Sequence, residues 1–322
     1  MYFNCHHPSV RYSGRFAEVN GRMTATACGS AIEIAFVGEH ILLEFDICGN
    51  IAPFPHLWLQ LDKGCKTEVP LDKYIRLETA PGEHVLTILL KSAKETQQRF
   101  YHPLQGKLSF AGFTAENAGV LPADGRKTIE FVGDSITEGV LVEAPLTGAS
   151  QNDQDNRPYQ DDATATYAYL TAQNLGLRPL LMGYGAVGVT KGGNGSVPKA
   201  AEAYPYCFDG APVTYPHPDY ILINHGANDR KATAETYAAE YEHLLSVIRA
   251  AHPHAVIFCL SAFAGAHRET LGALIADYNA RHHDNVHFID SHGWVPADPL
   301  HPLRDGHKLI SQKLTAALQK LL

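Results

Sequence analysis

Gly133-Asp134-Ser135, Gly185-x-x-Gly188, Gly226-x-Asn228-Asp229 and Asp298-x-x-His301 stand in that order along the second half of the chain. Together they hold the residue types that acyl transfer needs: a hydroxyl nucleophile, donors for an oxyanion, and a histidine with a carboxylate nearby. Ser135 is a poor nucleophile until a base takes its proton. His301, with an ordinary imidazole pKa of about 6.5, can take that proton and return it at neutral pH. Asp298, three residues earlier, can fold back to the far ring nitrogen and stabilise the imidazolium. Gly188 would offer a backbone N–H and Asn228 a side-chain amide to the oxyanion, with the Ser135 N–H beside them. Gly185 is a weaker candidate for the same task. Asp134 and Asp229 read as organisers of their turns, and His307 as structural. Each motif has a bland alternative: Ser135 as a helix N-cap, the glycines as a flexible turn, Asn228 as a turn asparagine after a strand. Four motifs in this order outweigh those alternatives.

The elements around them must bring the motifs together. From Thr128 onward strand-like runs alternate with helical stretches. The strands are Thr128–Val132, Leu180–Met182, Tyr220–Asn224, Ala255–Leu260 and Val286–Asp290. The helices are Ala163–Leu175, Glu235–Arg249, Arg268–Arg281 and Gly306–Leu321. In Glu235–Arg249 the residues Tyr237, Ala238, Tyr241, Leu244, Leu245 and Ile248 form one apolar stripe. Such alternation predicts a parallel sheet covered on both faces, with its ligand site beyond the carboxyl ends of the strands. Every motif follows a strand, so all four fall at that edge.

The first part of the chain has a different pattern. Short runs at Ala31–Phe36, Ile41–Asp46, Leu57–Leu61, Ile75–Leu77, Val85–Leu90 and Lys107–Phe113 are separated by glycine, proline and charged turns. They predict a β-sandwich, a jelly roll in its finer form. Gly38-Glu39-His40-Ile41 recurs as Gly82-Glu83-His84-Val85, which reads as shared turn chemistry. A polar connection over 114–126 divides the chain into residues 1–120 and 121–322. At 322 residues, two domains fit.

A hydrophobic fraction of 45% and a charged fraction of 19% describe an ordinary globular chain. The net charge of −8 argues against a nucleic-acid partner held by phosphate contacts. No run approaches the roughly 18 apolar residues of a membrane-spanning helix, so no membrane partner is expected. The first residues lack the apolar core of a signal peptide, and the 6 cysteines show no paired spacing. A reduced, cytoplasmic setting is therefore expected, which recovery of the native protein from culture medium would contradict. The 18 histidines include clusters such as His252-Pro253-His254 and His282-His283, but none has metal-ligand spacing. Neither a metal nor a cofactor is expected.

The order Ser135, Gly188, Asn228, Asp298/His301 resembles the SGNH (GDSL-type) hydrolase superfamily over roughly residues 128–322. This implies a flavodoxin-like α/β fold for the second half, a serine esterase acting through an acyl-enzyme, and the site roles given above. With a β-sandwich ahead of it, the chain most resembles carbohydrate esterase family 2. Gly14-Arg15-Phe16, Phe110-Ala-Gly-Phe113, the run 127–139 and Ile223-Asn-His-Gly-Ala-Asn-Asp229 carry that likeness. The implied activity is removal of O-acetyl groups from xylo-, manno- or gluco-oligosaccharides, and some members of this family orient the histidine without a carboxylate. An acetyl group is too small to supply much affinity, so the partner would be held through its sugar. Trp294, Trp58 and His225 are the candidates for that contact. The polar stretch Gln151–Asp162 could rim the cleft. Two alternatives stand: a lipase or thioesterase for longer acyl chains, and a carbohydrate-binding protein with a vestigial hydrolase half. The sequence names neither the sugar nor the oligomeric state.

Overall fold

The computed structural model describes residues 1–144, 156–214 and 217–322. In the first half, one antiparallel sheet runs in the order Phe16–Val19, Arg22–Ala25, Leu108–Thr114, His40–Phe45, Tyr74–Glu78, with Tyr2–Asn4 beside Leu108–Thr114. The second runs Asn117–Ala118, Ala31–Val37, Glu83–Ser92, His56–Leu61, Lys66–Pro70, with Val10–Ser13 on Ala31–Val37. Period-two alternation decides which side chains face inward. Ile41, Leu43 and Phe45 are buried while His40, Leu42 and Glu44 are not, and Ile32, Ile34 and Phe36 repeat the pattern in the other sheet. The two matching turn signals lie side by side, the Gly38 N–H donating to the Gly82 carbonyl at 2.9 Å.

Five parallel strands form the sheet of the second half: Thr128–Gly133, Arg178–Gly183, Tyr220–Asn224, Val256–Leu260 and His287–Ile289. Counted along the chain, their order in the sheet is 2-1-3-4-5. That is the flavodoxin-like order, which opens its crevice where the chain departs to both sides of the first strand. Gly133 ends that strand opposite Gly183 on one side and Asn224 on the other. The loops bearing Ser135, Gly188 and Asn228 thus start from three neighbouring strand ends. Helices Ala234–Ala251 and Arg268–His282 pack together, as do Tyr167–Asn174 and Arg304–Leu318.

Several boundaries differ from the sequence expectations. The predicted helix Ala163–Leu175 is a 3-10 turn, Ala163–Ala165, followed by a separate helix, Tyr167–Asn174. Thr166 is extended there (φ −74°, ψ 157°), and its hydroxyl accepts the Tyr169 N–H, which starts the chain afresh. The last helix runs Arg304–Leu318 rather than Gly306–Leu321. Of the stretch Gln151–Asp162, residues 151–155 lie outside the described residues.

Two buried arginines from the β-sandwich tie the halves together. Arg15 donates to Glu130 Oε1 (3.0 Å from Nη2) and to the carbonyls of Tyr204 (2.7 Å) and Tyr206 (2.9 Å). Arg99 is paired with Glu138 in the turn that follows Ser135. Removing one member of such a pair would leave an uncompensated buried charge.

Candidate active site

Ser135 opens a one-turn helix, Ser135–Glu138, directly after the first parallel strand. Asp134 is its N-cap: Oδ1 accepts the Ile136 N–H at 3.0 Å, so the carboxylate organises the turn. Gly133 leaves room for the reversal, since a Cβ there would lie 2.1 Å from Thr137 Oγ1. Across the crevice, His301 Nε2 stands 2.8 Å from Ser135 Oγ. Burial lowers the pKa of His301 below the usual imidazole value; the carboxylate of Glu95 works against that shift and Arg157 adds to it. The ring is therefore held neutral, the form in which it can accept a proton.

Asp298 is not brought to that ring. Its side chain lies in an exposed run, 296–299, whereas His301 Nδ1 is buried with no hydrogen-bond partner among the described residues. The expected Asp298–His301 contact is corrected accordingly. At the surface the carboxylate keeps its water, and carrying it to a buried nitrogen would cost that hydration.

The Gly188 N–H is likewise committed elsewhere, donating to the Lys191 carbonyl of its own loop at 3.0 Å. What makes residue 188 a glycine is Asp229: a Cβ would come within 2.4 Å of Oδ1. That carboxylate accepts from Val189 N (3.2 Å), Thr190 N (2.9 Å) and Thr190 Oγ1 (2.6 Å), clasping the glycine loop to the Asn228 loop. Asn228 Nδ2 donates to Asp134 Oδ2 (3.1 Å) and the Val187 carbonyl (3.0 Å), so its amide stands beside the serine turn. Burial, reinforced by Asp229 and Glu138, pushes Asp134 up to about 7. Among the described residues, no hydrogen bond engages the Ser135 N–H.

The glycine-rich loop is packed against the rest of the chain. A segment of the β-sandwich half, 94–99, lies on it. The Arg99 N–H donates to the Gly195 carbonyl at 3.1 Å. A Cβ on Gly195 would meet the Gln97 carbonyl at 2.2 Å, and one on Gly185 would meet Glu95 Oε2 at 2.3 Å. These glycines permit close approach of another chain segment.

The three expected sugar contacts separate in the structure. His225 is 1% exposed, its Nδ1 without a hydrogen-bond partner among the described residues and its pKa pushed down to about 4 by burial. Closed off from solvent, it has no face to offer a substrate. Trp58 gives its Nε1–H to Asp162 Oδ2 at 3.0 Å and lies under the Lys91 ammonium, 5.7 Å away. It joins the sandwich to the second half, and no described contact links it to Ser135 or His301. Trp294 is half-buried, packed against the core beside Val295 and Leu300 in the segment leading to His301. Glu95 and Arg157 were not singled out from sequence. Isolated charged residues at loop positions carry no periodic or motif signal. Among the described residues no group of three or more His, Cys, Asp or Glu is placed to hold a metal ion.

The GDSL-like lipase/acylhydrolase family matches residues 131–309, more than half of the chain, and the chain belongs to that family. It is similar to the cellulase/esterase CelE of Acetivibrio thermocellus, 25% identical over 346 aligned positions that cover 98% of this chain. The chain spans only 40% of the length of that relative. An acetylxylan esterase/glucomannan deacetylase of Cellvibrio japonicus is 25% identical over 75% of this chain and 68% of its own. Among solved structures, a family two carbohydrate esterase from Cellvibrio japonicus superposes with a TM-score of 0.81 at 19% identity, covering 99% of this chain and 97% of that one. One from Clostridium thermocellum, in complex with cellohexaose, gives 0.78 at 22% identity over 97% and 98% of the two chains. These superpositions establish the fold: a β-sandwich ahead of a flavodoxin-like hydrolase sheet.

Proposed function

We propose that the protein is a serine esterase that removes O-acetyl groups from carbohydrate. The observation that carries the reading is the 2.8 Å contact between Ser135 Oγ and the neutral His301 Nε2. In the reaction, His301 takes the serine proton as Oγ attacks the acetyl carbonyl, giving a tetrahedral oxyanion. The imidazolium then protonates the leaving sugar oxygen, leaving acetyl-Ser135. Water attacks that ester with His301 again as base, and acetate departs as serine recovers its proton. The Ser135 N–H and the Asn228 amide are the oxyanion donors. Asn228 reaches the oxyanion by sharing the hydrogens that now point to Asp134 and Val187. Loss of one such donor typically costs about 10²–10³ in turnover.

The relative named for acetylxylan and glucomannan supports a sugar on the alcohol side. Trp294, half-buried beside the His301 segment, is the aromatic face best placed to stack on it. The test is acetate release from acetylated xylo-, manno- and gluco-oligosaccharides by wild type and Ser135→Ala. The variant is expected to release none above background; near-normal release would refute the assignment.

A further inference from the structure

Ser135 sits on a helix of one turn, Ser135–Glu138, and a single turn does not hold its own place. Inside it, the Glu138 N–H donates to the Asp134 carbonyl at 2.9 Å and the Gly139 N–H to the Ser135 carbonyl at 3.0 Å. Its placement against His301 must come from what grips its two ends. The first end is held by the Asp134 cap, whose Oδ2 accepts from Asn228 Nδ2 at 3.1 Å. The second end is Glu138, buried and gripped from the β-sandwich. Arg99 Nη1 donates to Glu138 Oε1, and Cys28 Sγ lies against both, 3.8 Å from the nitrogen and 3.7 Å from the oxygen. The Arg99 guanidinium is fully buried and lies 5.2 Å from the centre of the Tyr184 ring, where the glycine loop begins. In that loop the Gly195 carbonyl accepts the Arg99 N–H at 3.1 Å. The turn has little slack on its other side, since a Cβ on Gly183 would come within 2.5 Å of Glu138 N.

We infer that Arg99 is a positioning residue for the nucleophile. Its side chain fixes the far end of the serine turn, and its main chain fixes the glycine loop, whose Val187 carbonyl holds Asn228. One residue of the β-sandwich thereby sets the spacing between the attacking hydroxyl and an oxyanion donor. The inference rests on the proposed roles of Ser135 and Asn228. Among the described residues no contact links Arg99 to Ser135 Oγ or His301, and no proton passes to it. It acts on where Oγ points: reacting atoms must be held about 3–3.5 Å apart and aligned, and a displacement of about 1 Å costs about 10² in rate. The charges of Arg99 and Glu138 cancel, so the pair leaves the proton affinity of His301 to the ring's own surroundings.

Wild type, Arg99→Met, the double variant Arg99→Met/Glu138→Met, Arg15→Met and Ser135→Ala are compared on a small activated acetate ester. Melting temperatures are measured alongside, and every assay is run well below the lowest of them. Arg99→Met keeps the N–H bond to Gly195 and removes the grip on Glu138. Its kcat is expected to fall on the order of 10- to 100-fold. Its KM should stay within about twofold and its acid limb should not move, because substrate binding and His301 are untouched. Its melting temperature should fall too, since Glu138 is left as a buried unpaired charge. The double variant removes that charge, so its melting temperature should recover toward wild type while kcat stays low. Arg15→Met breaks the other buried arginine tie between the halves, at Glu130 and away from the serine turn. It should melt lower yet keep kcat within about twofold. Wild-type kcat in Arg99→Met or in the double variant would overturn the positioning role, and so would a kcat loss in Arg15→Met equal to that in Arg99→Met. Should Arg99→Met not fold, the double variant decides alone. An inert wild type, or an active Ser135→Ala, would overturn the esterase reading and this inference with it.

Discussion

Gly188→Ala separates two explanations of one glycine. If residue 188 served only through its N–H, alanine would be harmless, because it keeps that N–H. The structure points instead to the space a methyl would need: Cβ would lie 2.4 Å from Asp229 Oδ1 and 2.9 Å from its Cγ. Asp229 cannot retreat without releasing the donors Val189 N, Thr190 N and Thr190 Oγ1. Overpacking of this kind costs about 1–3 kcal/mol, and each bond to a charged acceptor about 1.5–3 kcal/mol. Partial relaxation makes about 2–4 kcal/mol a reasonable total for Gly188→Ala. Asp229→Ala alone should cost about 3 kcal/mol, less than the sum of three such bonds, because Thr190, which gives two of them, is only half-buried and can turn to water. In the double variant the methyl occupies the space the carboxylate left, so the combined loss should be about 3–4 kcal/mol rather than the additive value of roughly 6. Urea unfolding of the four proteins measures this. Strict additivity, or a Gly188→Ala loss below about 1 kcal/mol, would refute the steric account.

Asp298→Asn should retain most of the wild-type kcat/KM, because the exposed carboxylate makes no contact with the buried ring nitrogen. A fall of the size seen when a triad aspartate is removed, about 10⁴, would show that the loop closes on His301 during turnover. The pH profile offers a second check. Burial disfavours the imidazolium, so a base whose pKa is lowered in the folded protein stays active below the usual 6.5. The acid limb of kcat/KM should have its midpoint under that value, and a midpoint above it would contradict the environment described for His301.

Most of the frame was legible in the chain. The alternation from Thr128 onward gave the five parallel strands, and the strand-end position of each motif brought Ser135 and His301 to one crevice. Short polar strands such as Lys66–Pro70 and Arg22–Ala25 escaped notice because they owe their form to pairing with neighbours more than to their own residues. The site was legible in its residue types but not in its hydrogen bonds. Asp298-x-x-His301 places a carboxylate within reach, yet which way a loop turns that carboxylate depends on its hydration. Gly188 and Asn228 were read as free donors, and both spend their hydrogens on neighbours. Glu95 lies far from every motif along the chain, and only the packing of the sandwich on the glycine loop brings it near. Trp58 and His225 have types suited to sugar, but a bond to Asp162 and complete burial respectively give them other work.

The account stands or falls on whether Ser135 carries the acyl group. Rapid-quench mass spectrometry of wild type turning over an acetylated oligosaccharide should find one acetyl group, and peptide mapping should place it on Ser135. Acetate released with that serine unmodified at every time point, or with the acetyl group on another residue, would contradict it.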